Sequence, residues 1–334
     1  MMARMGTPLP TCLLRREYEP AALLKAHPPV LRHPHKQLLF ELTCPPGAVH
    51  SGRIVLTRWR AAPLPTTVAL APTKSLAVPG TYDYNGDDAG VWHVNFADPQ
   101  LFVAYGSALL AQDELQAAEH PVLGALREAL LAEGLPAKTE VNGEASPVLV
   151  LGAERRCSIA TAPDSAAGRP LGLYGNRFAE ASPKVVRAAV QVLQPPTRSN
   201  LIAIAAPAGG RGPYFRRQLE QILTTAYTGF AAAVAESQQR WPGQAVEIRT
   251  GFWGCGAFGG NRHAMTLLQL LAARLAGVDH LRFYTFDDAG QAAFRTGSKD
   301  LDAVIAAGAP GEALAELIER IADLDYEWGV SDGN

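Results

Sequence analysis

Between residues 250 and 260 the chain reads Thr250-Gly251-Phe252-Trp253-Gly254-Cys255-Gly256-Ala257-Phe258-Gly259-Gly260. Glycine has no Cβ, so such a stretch turns tightly and lets a ligand approach the backbone, while a helix starting just after it offers unpaired N–H groups and a positive dipole end to an anion. That is the chemistry of a diphosphate cradle. The competing reading is that the glycines only allow tight packing around Trp253 and Phe258. A second candidate is the acidic pair Asp113-Glu114, preceded by Gln112. A carboxyl group buried beside Leu109, Leu110 and Leu115 has its pKa raised, and a neighbouring diphosphate pushes the same way, so it can donate a proton and later take one from water. The same acids suit the first turn of a helix, where they meet the positive end of its dipole.

Gly254, Gly256 and Gly259 also satisfy G-x-G-x-x-G, and Asp287 follows the next strand, which raises a dinucleotide site of the Rossmann kind and a nucleotide-dependent oxidoreductase. Topology argues against it, since only roughly 75 residues follow Gly260 and no third strand is evident among them. No Gly-Lys-Ser or Gly-Lys-Thr supplies a Walker loop. His27, His33, His35 and His50 with Cys44 match no familiar metal-ligand spacing, and Cys12, Cys44, Cys157 and Cys255 form no C-x-x-C pair, so reduced thiols are expected.

The elements that must hold these residues alternate. From residue 91 onward the pattern predicts strands over 91–97, 148–151, 201–205, 246–250 and 280–286, with helices over 108–119, 122–133, 183–193, 213–239, 262–276 and 312–321. Strands separated by helices imply a largely parallel sheet covered on both faces. Before residue 90 many prolines break the chain, which predicts short strands at 38–42 and 53–58 but few long helices. Segments 153–178 and 287–299 read as long loops, candidates for ligand contact.

Taken together, the run 250–260, the helix containing Gln269 and the triplet Tyr284-Thr285-Phe286 resemble the carboxy-terminal signature of the poly(ADP-ribose) glycohydrolases. A second part of that pattern, a Val-Asp-Phe-Ala-Asn strand end followed by a triple-glycine loop and Gln-Glu-Glu entering a helix, is matched by Val94-Asn95-Phe96-Ala97-Asp98 and Gln112-Asp113-Glu114. The resemblance covers roughly residues 91–286. It implies a macrodomain-like three-layer α/β/α core with a mixed, mostly parallel sheet over residues 91–334, and a proline-rich extension over 1–90 packed on it. The implied activity is hydrolysis of an O-glycosidic or N-glycosidic ADP-ribose linkage, with Glu114 as acid/base and Asp113 beside it. Gln112 and Asp113 position ribose hydroxyls, and Asn95 and Asp98 occupy exchanged positions of the family's strand end. Gly254, Cys255, Gly256, Ala257, Phe258, Gly259 and Gly260 line the diphosphate site, with Phe258 and Phe286 packed on ribose or adenine. No metal or organic cofactor is called for. The expected partner is ADP-ribose on a protein, polymer or nucleic acid.

The departures are specific. Phe102-Val103-Ala104 stands where the family has three glycines, Phe252 replaces an Asn, and Ile159 and Ala162 take the places of two clasp tyrosines. An ADP-ribose-binding module with little turnover is therefore the competing function.

Composition sets the outer limits. The 334 residues are 48% hydrophobic and 19% charged, with 30 basic against 32 acidic side chains. This excludes a disordered chain and a polybasic nucleic-acid surface, so an anionic ligand must be bound locally. No apolar run is long enough for a membrane helix and no secretory leader opens the chain, which predicts a cytoplasmic protein.

Overall fold

The alternating strand and helix segments assemble around one large sheet in the computed structural model, which describes residues 10–85 and 89–333. In chain order the elements are β1 (Cys12–Tyr18), α1 (Pro20–Ala26), α2 (Pro34–Thr43), β2 (Ile54–Trp59), β3 (Lys74–Val78), β4 (Val91–Ala97), α3 (Gln112–Glu119), α4 (Val122–Ala132), β5 (Glu140–Val141) and β6 (Glu144–Ala145). There follow β7 (Val148–Ile159), α5 (Arg177–Glu180), α6 (Pro183–Ala189), β8 (Val190–Ala205), α7 (Arg216–Arg240), β9 (Glu247–Gly251), α8 (Arg262–Ala276), β10 (His280–Tyr284), α9 (Asp288–Ala306) and α10 (Leu314–Ala322).

Eight strands form the main sheet in the order β1-β2-β7-β8-β4-β9-β10-β3. The run β8-β4-β9-β10-β3 is parallel throughout, and β7, β2 and β1 add antiparallel pairings on the other side. The mixed, mostly parallel α/β fold expected from the sequence is thus present. Residues 1–90 contribute β1, β2 and β3 to this same sheet. The carboxyl ends of the parallel strands open together at one edge, the place where open α/β sheets take ligands.

Side chains alternate across each strand, and β4 shows what that does. Trp92 and Val94 enter the larger hydrophobic core, shared with α7, α8, α9 and α10. His93 and Asn95, equally buried, turn to the opposite face, where α3 packs. Each fully buried large apolar side chain contributes roughly 1.5–3 kcal/mol. A second apolar cluster joins Ile54, Leu56, Leu201 and Ala203 of the sheet to Leu23 of α1 and Leu123, Leu126 and Leu130 of α4.

Several expectations need correction. Residues 38–42 are not a strand but the second half of α2, in which Pro34 opens the helix and His35, Lys36, Leu39 and Thr43 form the buried stripe. Proline at the first helical position costs no hydrogen bond, so the prolines at 20 and 34 start helices here rather than preventing them. Residues 287–299 are not a loop but the start of α9. Within this helix Gly290 and Gly297 are sites of close approach: a Cβ would fall 1.8 Å from the Thr285 carbonyl oxygen at one and 2.6 Å from the His263 carbonyl oxygen at the other. The helix expected over 183–193 stops at Ala189, because β8 begins at Val190 and pairs with the far end of β7, which itself runs on to Ile159 instead of ending at Leu151. The helix expected from residue 108 begins at Gln112. No described helix is long and apolar enough to cross a membrane.

Candidate active site

The turn between β4 and α3 carries the acidic pair. Gln112 ties the helix to the strand with both ends of its amide: Oε1 accepts from Phe96 N–H at 2.7 Å and Nε2 donates to the Val94 carbonyl at 3.1 Å. Its side chain is therefore engaged by β4 backbone. Asn95 Nδ2 donates to Asp113 Oδ1 at 3.0 Å and to Gln116 Oε1 at 2.9 Å, so α3 is held over β4 by two further side-chain bonds. Glu114 Oε2 accepts the Ala111 N–H at 3.1 Å, closing the first turn as one half of a capping box. Asp98 lies just below, its Oδ1 accepting Gln100 N–H at 2.8 Å.

Asp113 and Glu114 are 6% and 5% exposed. Burial raises the pKa of both, and for Asp113 the Glu114 charge adds to the shift. Two adjacent carboxyls in one dry site cannot both ionise cheaply, so the pair titrates as a unit and retains a proton above the ordinary carboxylate range. The counterweight is Lys36 of α2, which is 2% exposed, with Nζ 3.4 Å from the Glu114 carbonyl oxygen. Its ammonium opposes the rise at Glu114 and Asp113, while burial pulls its own pKa down to about 8.

The glycine-rich loop follows β9, the strand beside β4. Trp253 anchors it from beneath, fully buried and donating Nε1–H to the Ile204 carbonyl at 3.0 Å. Gln269 of α8 fixes its entry, donating to the Gly251 carbonyl at 3.0 Å and accepting from Thr250 Oγ1–H. Gly254 has φ 75° and would press a Cβ to 2.5 Å from that of Ala206, so glycine is required there by the fold alone. Gly256 has no positive φ; what a side chain would meet there is Asp332 Oδ2, at 3.1 Å. Among the described residues no hydrogen bond reaches the N–H groups of Gly254, Gly256, Ala257 and Phe258. Four unpartnered donors in one tight loop form the kind of concavity that binds anions. The first turn of α8 is less available, since Asn261 Oδ1 already accepts from His263 N–H and Ala264 N–H at 2.8 and 3.1 Å.

Of the other residues singled out from the sequence, Cys255 and Phe258 are half-buried and Ala257 is exposed, while Gly259 and Gly260 lie at the base of the loop. Phe286, two residues beyond β10, has φ 67° and is 63% exposed. Phe102, in the place of the missing glycines, has φ 52° and is fully buried in the cluster beneath α4. The segment between β4 and α3 is thus folded inward around an aromatic anchor. His50 is bound to Glu154 at 2.8 Å, His35 to the Phe178 carbonyl at 2.9 Å, and no group of three or more metal-ligating side chains forms among the described residues.

Sequence reasoning missed Lys36, Tyr174 and the segment 328–333. The Tyr174 hydroxyl accepts the Gln112 N–H at 3.1 Å, and its pKa is pushed up to about 12 by burial and then by the nearby Asp332 carboxylate. Lys36 sits in a stretch misread as leading into a strand, and the other two lie far along the chain from the acidic turn. No local pattern signals any of them.

The glycine loop lies in the part of the chain that is similar to a known family. The family described as "Poly (ADP-ribose) glycohydrolase (PARG), Macro domain fold" matches residues 188–293. A "Probable poly(ADP-ribose) glycohydrolase 2" of Arabidopsis thaliana is 38% identical over 60 residues, which is 17% of this chain and spans only 12% of that relative. The crystal structure of poly(ADP-ribose) glycohydrolase from Thermomonospora curvata is similar at TM-score 0.40 and 18% identity over 85% of each chain. That of the Deinococcus radiodurans enzyme in complex with ADP-ribose is similar at TM-score 0.41 and 16% identity over 86% of this chain and 95% of its own. The segment 188–293, which contains the Trp253-anchored glycine loop and α8, is thus the part of the chain similar to the poly(ADP-ribose) glycohydrolases.

Proposed function

We propose that this protein hydrolyses a glycosidic linkage of ADP-ribose. The observation that carries the reading is the juxtaposition of two features at the carboxyl ends of neighbouring strands: a buried carboxyl pair on the turn after β4 and a loop of unpartnered N–H groups after β9. The loop takes the diphosphate. Glu114, its pKa raised by burial, donates its proton to the leaving oxygen as positive charge develops at the anomeric carbon. The resulting carboxylate then accepts a proton from the attacking water. Asp113, bonded to Asn95, and Gln112, bonded to β4, hold the helix that aims Glu114. Phe258 and Phe286 supply apolar faces for ribose or adenine.

One feature favours weak turnover. Buried Phe102 leaves no run of bare backbone to approach the ribose, which suits a binding module as the competing reading. Calorimetry with ADP-ribose, NAD and NADP, combined with amide chemical shifts of residues 254–260, tests the site. Binding of ADP-ribose at this loop is expected. Binding of a nicotinamide cofactor with none of ADP-ribose would replace the proposal with a dinucleotide-dependent activity.

A further inference from the structure

The glycine loop is not open in this structure. The segment 328–333 crosses it. At its near end the indole of Trp328 stacks on Tyr214, with ring centroids 4.3 Å apart and planes at 19°, and Trp328 N–H donates to the Gly212 carbonyl at 2.9 Å. Just before it, Asn261 at the start of α8 donates to the Glu327 carbonyl at 2.8 Å. The chain then passes over the loop base: a Cβ on Gly259 would stand 3.1 Å from the Ser331 nitrogen, and one on Gly260 is blocked only from within the loop. Asp332 N–H reaches the Gly256 carbonyl at 3.4 Å, and its carboxylate lies against Gly256 at the rim that carries the unpartnered donors. At the far end Asn176 donates to the Gly333 carbonyl at 2.8 Å, and Asp332 is close enough to Tyr174 to oppose its ionisation.

We propose that residues 328–333 form a strap that closes the anion site, with the Asp332 carboxylate held where a phosphate would sit, so that the strap must swing aside before an ADP-ribosyl ligand enters. The inference rests on the diphosphate reading of the loop, and it adds a gate to it. Two features fit a movable part. Val330, in the middle of the strap, is 91% exposed, and Trp328 supplies a firm pivot. Gly256 has an ordinary backbone conformation, so its lack of a side chain leaves space that a carboxylate now fills and that a diphosphate would fill in its turn. A carboxylate and a phosphate cannot share that space, because both occupy the volume beside Gly256 and like charges repel. Ligand binding is therefore reduced by the fraction of time the strap is closed.

The test uses the full chain and two variants outside the reacting groups. Asn176→Ala removes the far tie, and Asp332→Ala removes the competing carboxylate; thermal unfolding confirms that each is folded. Calorimetry is expected to show ADP-ribose binding about tenfold tighter or more in both variants, as when a closed state holds about nine-tenths of the population. Hydrogen exchange on the unaltered protein is the second readout. Amides of 328–333 should lose protection when ADP-ribose is added at saturating concentration. Equal affinity in all three proteins, or a strap whose exchange does not change on binding, overturns the gate and leaves the ligand assignment standing. Absence of ADP-ribose binding in wild type and both variants overturns the ligand assignment and the gate with it.

Discussion

Replacing Lys36 by methionine keeps the length of the side chain and removes one buried positive charge. Nζ lies 3.4 Å from the Glu114 carbonyl oxygen, and its charge acts on the carboxyl groups of both Glu114 and Asp113. With an effective dielectric of about 20, two unit charges a few ångströms apart interact by roughly 3–4 kcal/mol, or about two to three pKa units. Some of it is lost to rearrangement, so Lys36→Met is expected to raise the apparent pKa values of the Asp113 and Glu114 pair by one to two units, at order of magnitude. Stability should fall most at high pH, where an ionised carboxyl group of the pair is left without its buried counter-charge, and least at low pH, where the pair is protonated. Carbon NMR titration of selectively labelled carboxyl groups reads the shift without requiring turnover. On a substrate that the wild type cleaves, the alkaline limb of the pH–rate profile should move upward by the same amount, because it follows loss of the acid's proton. A folded Lys36→Met protein whose carboxyl titration moves by less than about 0.3 unit would refute the claim that Lys36 sets the charge of this turn.

Two other outcomes follow from the same geometry. Asp113 has a folded-state pKa above its ordinary 3.8, so the folded chain binds more protons than the unfolded one and loses stability as pH rises from about 4 through the raised value. Asp113→Asn removes that loss while preserving the acceptor for Asn95, so urea unfolding should show its advantage over wild type growing by on the order of 2 kcal/mol between pH 4 and 8; a constant difference would contradict the buried-acid assignment. Gly254→Ala should cost at least about 2 kcal/mol in unfolding free energy, since φ is left-handed and Ala206 blocks the space, whereas Gly256→Ala should stay within about 0.5 kcal/mol and weaken ADP-ribose binding instead. Equal stability losses at both positions would mean that neither glycine is spared for a ligand.

How much of this was readable from sequence depends on how local the cause is. Strand β4 matches its expected bounds because Val91, Trp92, Val94, Phe96 and Ala97 make a short segment rich in β-branched and aromatic residues. Helix α8 matches for a different local reason: Asn261 caps its start and Gly277, at φ 72°, ends it. The acidic turn and the glycine loop were legible as separate motifs, and only the sheet order reveals that they follow adjacent strands. The start of α9 was not legible as a helix, and the close backbone approaches that Gly290 and Gly297 allow there depend on Thr285 and on His263 of another helix. Lys36 and Asp332 were invisible for a stronger reason. Each acquires its meaning from a partner far along the chain, Glu114 in one case and Gly256 in the other. The inward fold of Phe102 is likewise set by the space beneath α4, not by its neighbours in sequence.

The most direct test of the central claim is the turnover of Glu114→Gln. The amide keeps the size of the side chain and a carbonyl oxygen that can still accept from Ala111 N–H, but it cannot shuttle a proton. On whichever ADP-ribosyl conjugate the wild type cleaves, kcat is expected to fall about 10²-fold or more, while affinity for free ADP-ribose and the unfolding transition change little. Undiminished kcat in a folded Glu114→Gln protein would contradict the assignment of Glu114 as the proton-transferring group.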